Sequence, residues 1–156
     1  MDQAAISGTV PSPMQLALDQ ARAAGARGEV PVGAVIVGPD GAVLAADGNR
    51  TRELNDPTAH AELLVIRAAC ARLGQERLTD ASLYVTLEPC PMCAAAISLA
   101  RIRRLYWGAS DPKGGGVESG PRIFNQPTCH HAPEHWGGLC GSEASALLVA
   151  FFSQRR

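Results

Sequence analysis

Cys90 and Cys93 stand three residues apart in TLEPCPMC, and His60 stands far upstream in NDPTAHAE, so a chain that uses them together must bring two distant turns to one point. Both turns read as helix starts. One helix begins near Pro57-Thr58, with His60 in its first turn, and runs to about Leu73, where Gly74 closes it. The other follows the strand SLYVTL (82–87) and the turn Glu88-Pro89-Cys90-Pro91. Its Ala-rich stretch, MCAAAISLA, puts both sulfurs on one face across a single turn. Helix N-termini carry unpaired N–H groups and partial positive charge, which favours thiolate at Cys90. Each helix follows a strand or a strand-derived loop, so the two starts can meet at one sheet edge.

The rest of the chain supplies that sheet. Ser12-Pro13 reads as an N-cap and first helical residue, opening a helix to about Ala24 that Gly25 stops. VPVGAVIVG is a buried strand, Pro39-Asp40-Gly41 a hairpin turn into AVLAADGN, and Asn49 to Pro57 a polar loop. Arg104 to Gly108 is a further strand. Ala109 to Gly141 is rich in Gly, Pro and His, and a last helix spans about Ser142 to Ser153 with Ala144, Leu147, Leu148 and Phe151 on one face. The order α-β-β-α-β-α-β-loop-α predicts one mixed sheet with helices on its faces. With 156 residues and 46% apolar content, the chain reads as one domain, 1–156, with residues 1–11 a flexible N-terminus. Cys70 is expected in the core of its helix, Tyr106 and Trp107 in packing, and Phe152 off the apolar face.

Five cysteines without an export signal argue against a disulfide framework and for a cytoplasmic location. No apolar run is long enough for a membrane span. The net charge of -1 excludes a global basic field, so any nucleic-acid contact falls to local patches: Arg50/Arg52, Arg101/Arg103/Arg104 and Arg155/Arg156.

In a reducing compartment a C-x-x-C pair is a metal clamp or a redox couple. A redox couple leaves His60 and Glu62 without a role. One histidine and two cysteines make three zinc ligands, and a catalytic zinc site leaves its fourth position for water. Glu62, two residues past His60, is near enough to hang beside that water and move its proton. The alternative is a non-catalytic zinc module in which Cys129 or a nearby histidine fills the fourth position. Cys129, His130, His131, His135 and Cys140 match no zinc spacing of their own. Gly114-Gly115-Gly116 lacks the flanks of a phosphate loop and reads as flexible.

H-A-E followed by P-C-x-x-C, with 26 residues between Glu62 and Pro89, is the pattern of the zinc nucleobase deaminases. The stretches EVPVGAVIV, GNR, NDPTAHAE, LYVTLEPCPMC, RIRR, GASDPKGG and FFSQRR together resemble the bacterial tRNA adenosine deaminases, in order and over most of 28–156. The resemblance implies a three-layer α-β-α cytidine-deaminase-like fold with one central mixed sheet of about five strands. It implies a homodimer that converts adenosine to inosine at the wobble position of a tRNA anticodon. One zinc ion per subunit would be held by His60, Cys90 and Cys93, with Glu62 as proton shuttle. Asn49 would touch the flipped base or its sugar, with Val30, Ala61 and Leu87 also against the substrate. Asp111, Lys113, Phe152 and Arg155 would lie along the RNA. Between Gly114 and Gly141 the chain departs from the family pattern, and the late edge strand expected there is not legible in APEHWGGLCG. A deaminase of free guanine or cytosine shares the zinc motif and is the alternative within enzymes.

Overall fold

Among the described residues five strands form one sheet in the order β2-β1-β3-β4-β5: β1 (Gly33–Val37), β2 (Val43–Gly48), β3 (Ser82–Leu87), β4 (Arg104–Ala109) and β5 (Glu134–Trp136). The computed structural model describes residues 12–155; the N-terminal segment 1–11 and Arg156 lie outside the described residues. β1 runs antiparallel to β2 and β3, whereas β3, β4 and β5 are parallel. The sheet is therefore mixed, as expected. All five β1 residues are buried, because helices cover both of its faces.

α1 (Pro13–Ala26) and α4 (Gly141–Ser153) lie on one face, packing Met14, Leu18 and Ala144 against Val35, Val37 and Ala109. α2 (Ala61–Leu73) and α3 (Pro91–Leu99) cover the other, where Val65, Ile66 and Ile97 meet Ile36, Leu83, Leu105 and Trp107. The three-layer α-β-α expectation holds.

Local corrections follow from backbone chemistry. Ser12 and Gln15 form a reciprocal capping box on α1, but Gly25 does not stop that helix. It continues to Ala26, and the left-handed residue beyond it is Gly28, φ +90°. α2 starts later than expected, at Ala61, with His60 as its N-cap. The Asp56 carboxylate accepts from the N–H and hydroxyl of Thr58, and that side-chain turn holds the preceding residues out of the helix. Gly74 closes α2 at φ +66°, as the sequence implies.

β5 exists where no strand was legible. Its three residues ladder onto β4, and Glu134 N–H donates to Arg103 O at 2.9 Å. Cys70 is half-buried rather than core, with its thiol 3.7 Å from Glu76 O. Phe151 is also only half-buried. Trp107 is fully buried, and Tyr106 stacks between Tyr84 and Trp136 at centroid distances of 4.6 and 5.0 Å, so both pack as expected.

Trp107 fills the space between the sheet and the α2/α3 layer. Trp107→Ala is expected to cost ~3–5 kcal/mol of unfolding free energy, measured by urea denaturation at fixed pH; a cost below about 1 kcal/mol would remove Trp107 from the core.

Candidate active site

β3 and β4 run parallel, so the chain leaves both at the same end of the sheet. β1 begins beside that end: Gly33 N–H donates to the Thr86 hydroxyl at 3.1 Å. α3 starts shortly past β3, and α2 starts after the loop that follows β2. Open α/β sheets gather their ligands at such strand ends.

The N-caps of the two helices are His60 and Cys90, and neither side chain caps its own helix. They face each other instead. His60 Nδ1 lies 3.6 Å from Cys90 Sγ and 3.5 Å from Cys93 Sγ. The three donor atoms all lie within 4.8 Å of one another, with Cys93 fully buried and the other two half-buried. Two sulfurs and an imidazole converging this closely fit zinc. A hydrogen bond from Cys93 favours the Cys90 thiolate and brings its pKa down to about 4, despite burial. The same bond, then burial, pushes the Cys93 thiol up, and the bond to Cys90 raises His60.

Glu62 is the second residue of α2 and is 4% exposed. Burial pushes its carboxyl up to about 7, and the negative field of Cys90 adds to this against its own N–H and His60. An acid held near neutrality can both take and give a proton. Asn49 Oδ1 accepts the Ala61 N–H at 2.8 Å, so the side chain expected on the substrate also caps α2, which orients its NH2 group to donate to a ligand. Ala61 is fully buried; Val30 and Leu87 are half-buried at the margin of the core on this side.

The four residues expected along the RNA have the following surroundings. Asp111 is half-buried, its Oδ1 accepting the Gly114 N–H at 3.0 Å, and Lys113 is exposed with no ion pair among the described residues. Phe152 is exposed, edge-on to Phe151 at 5.3 Å, and the Arg155 guanidinium lies 3.9 Å over the Phe151 ring.

No second cluster of three metal donors occurs among the described residues. Cys129 turns to Ser98 and to His131 O, His131 Nε2 lies 2.7 Å from Ile102 O, and His135 stacks on Trp107.

Two buried acids escape a reading of the sequence. Glu29 accepts from the Arg52 and Glu53 N–H groups and the Thr51 hydroxyl, gathering the loop that leads to α2. Glu88 gathers the loop after β4 in the same way, and the glycine run 114–116 is correspondingly packed, with Gly115 and Gly116 held against neighbours rather than free. A glutamate lodged in the apolar run LYVTLEPC was the available signal.

A His-Cys-Cys group at paired helix starts on a three-layer α-β-α frame is the arrangement of zinc-binding deaminases as a class. The chain belongs to that family: residues 10–109 match the cytidine and deoxycytidylate deaminase zinc-binding region. It is 68% identical over 143 residues to the tRNA-specific adenosine deaminase of Agrobacterium fabrum, covering 92% of this chain and 93% of the relative. A solved structure from studies of A-to-I editing by tRNA:A34 deaminases at the wobble position is 69% identical, with TM-score 0.86 over 87% of this chain and 98% of the other. The guanine deaminase of Bacillus subtilis is 31% identical with TM-score 0.62, over 99% of this chain and 94% of the other.

Cys93→Ala is expected to lose zinc and to lower the melting temperature together, since metal affinity and folding are linked; unchanged metal content by elemental analysis would remove Cys93 from the ligand set. Glu29 yields a pH prediction. Burial pushes its carboxyl up, but the N–H groups of Glu53 and Arg52, the Thr51 hydroxyl and the Arg27 charge more than offset this, leaving it below its ordinary value. Such a group contributes stability above the unfolded pKa and loses it as pH falls through the folded one. The stability deficit of Glu29→Gln against wild type should therefore hold from neutral pH down to the ordinary carboxylate range and narrow only as the pH falls below it, in urea titrations.

Proposed function

We propose that this chain is a zinc-dependent hydrolase that deaminates adenosine to inosine at the wobble position of a tRNA anticodon. The observation that carries the reading is the buried Glu62 beside the His60-Cys90-Cys93 group, in a chain 68% identical to a tRNA-specific adenosine deaminase. His60, Cys90 and Cys93 would hold the metal. When bound, zinc supplies Lewis acidity that brings the pKa of a water from about 16 to about 7.

Glu62 then has two tasks. Its carboxylate takes the proton from water and carries it to adenine N1, which makes C6 electrophilic. Once the water oxygen has bonded to C6, the carboxylate takes the remaining proton from that oxygen and delivers it to the amine; C6=O forms as the C6–N bond breaks, so that adenosine and water become inosine and ammonia. The Asn49 amide group, with Val30, Ala61 and Leu87, would orient the base. Asp111, Lys113, Phe152 and Arg155 would meet the RNA further out. An anticodon loop already exposes its bases, so unstacking the target costs less there than in a duplex.

The family resemblance also carries one zinc ion per subunit and a homodimer, and chain length and cysteine usage carry a single deaminase domain over 1–156 and a cytoplasmic location. The one sheet built by the described residues supports the single domain, and no described helix is long and apolar enough to cross a membrane. Native mass and metal-to-chain ratio test the dimer and the stoichiometry.

A second reading, a free-base deaminase, is favoured by the likeness to the guanine deaminase of Bacillus subtilis. The two are separated by incubating the zinc-loaded protein with an anticodon stem-loop carrying wobble adenosine and, in parallel, with guanine and cytosine. Inosine in the stem-loop alone is the expected result, and ammonia from a free base with the RNA untouched would overturn it. Glu62→Ala should lower turnover by about 10²-fold or more with zinc retained. Full activity in that variant would make the carboxylate a bystander.

A further inference from the structure

Glu88 is 2% exposed, and the chemistry assigned to Glu62 gives it no part. Among the described residues no cation pairs with it; its carboxylate is satisfied by one loop. Oε1 accepts the Asp111 N–H and the Ser119 hydroxyl, each at 3.0 Å. Oε2 accepts the N–H groups of Val117 at 3.2 Å and of Glu118 and Ser119 at 3.0 Å. Segment 111–119 is thus wrapped round a buried anion, and hydrogen bonds to a charged acceptor are the stronger kind.

The glycines make the wrapping possible. A Cβ on Gly115 would lie 2.5 Å from Glu88 Oε2, and one on Gly116 would lie 2.6 Å from Pro91 N and 2.9 Å from the Cys90 carbonyl carbon. Gly116 N–H also donates to Pro89 O at 2.8 Å. The loop therefore lies against the start of α3 at a distance that side chains forbid. Its near end carries Asp111 and Lys113.

We propose that Glu88 is a positioning residue: by anchoring loop 111–119 against the start of α3, it holds Asp111 and Lys113 where a folded anticodon loop meets them, and so sets a preference for structured RNA over short substrates. The inference rests on the tRNA reading above. It assigns Glu88 no contact with substrate and no proton transfer.

Glu88→Gln keeps the size of the side chain but turns an NH2 group toward loop donors in either amide orientation. The test compares zinc-loaded full-length wild type and Glu88→Gln on an anticodon stem-loop and on a trinucleotide carrying the same adenosine. Amide hydrogen exchange across 111–119 is followed in both proteins. The expected result is a stem-loop KM raised about tenfold or more, the weight of one hydrogen bond to a charged group. Zinc content, stem-loop kcat and trinucleotide kcat/KM should stay within about threefold of wild type, while the Val117, Glu118 and Ser119 amides exchange faster. Equal losses on both substrates, or unchanged exchange, would overturn the proposal. Should Glu88→Gln fail to fold, Gly115→Ala presses on the same carboxylate and must give the same KM-selective loss. If wild type edits no stem-loop but hydrolyses a free base, the substrate half falls, and hydrogen exchange alone still decides whether Glu88 anchors the loop.

Discussion

Two helix starts converge on one point, and each gives up its own cap to do so. His60 and Cys90 occupy the N-cap positions of α2 and α3, where a Ser, Thr, Asp or Asn side chain contributes about 1 kcal/mol by accepting a backbone N–H. Neither side chain does this. Both point at the other's helix, 3.6 Å apart, with Cys93 behind them. The exposed helix ends are then satisfied from elsewhere. Asn49 reaches across to accept the Ala61 N–H, and Pro91 removes one donor from the start of α3. Partial positive charge from both helices stays aimed at the same small volume, which suits thiolate ligands and a developing negative oxygen alike. The sheet exists to hold this meeting: parallel β3 and β4 deliver their loops to one end, and the Gly33–Thr86 hydrogen bond fixes β1 beside them.

Around this point the protein uses anions to shape its loops. Glu29 and Glu88 are each 2% exposed, and each collects backbone N–H groups. A buried carboxylate is costly alone but is offset when several donors converge on it, and the loop that supplies the donors is fixed in the process. One anchored loop leads from β2 to α2 and carries Asn49 at its start; the other leads away from β4 and carries Asp111 and Lys113. Both loops are thereby tied by hydrogen bonds to a buried carboxylate, without a strand or helix in either.

The frame and the metal ligands are legible in the sequence and these loops are not. β1 to β4 read correctly because they are apolar runs bounded by turn residues, and α2 ends at Gly74 because a left-handed residue is required there. The His-Cys-Cys group is legible because a histidine with an acid two residues on, followed by a C-x-x-C pair at a helix start, serves little chemistry besides metal-assisted hydrolysis. β5 is not legible: it is three residues long, its outer residues are exposed, and it is defined by its ladder to β4 rather than by any alternation of its own. Gly25 and Gly114–Gly116 mislead for one reason. A glycine's use depends on its surroundings: the left-handed residue beyond α1 is Gly28, not Gly25, and the approach of Glu88 and Pro91 to Gly115 and Gly116 is a tertiary fact. Glu29 looks like a surface acid until the loop that surrounds it is seen, and only its place in the apolar run LYVTLEPC hints that Glu88 is not one.

The separation of frame from loops bears on how one frame serves different substrates. The guanine deaminase of Bacillus subtilis shares this frame at 31% identity, so the frame does not choose the substrate. The site's own charges cannot choose it either, since zinc, thiolates and one acid suit hydrolysis of any exocyclic amine on a nucleobase. What remains is the loops and the helix end around the mouth. With a net charge of -1 the chain has no long-range field to draw RNA, so recognition must be local and geometric. Local recognition needs fixed positions, because a lone Lys113 on a mobile loop would lose in ordering entropy much of what it gained from a phosphate. A loop already wrapped around a buried carboxylate has met that entropic cost during folding, before RNA arrives.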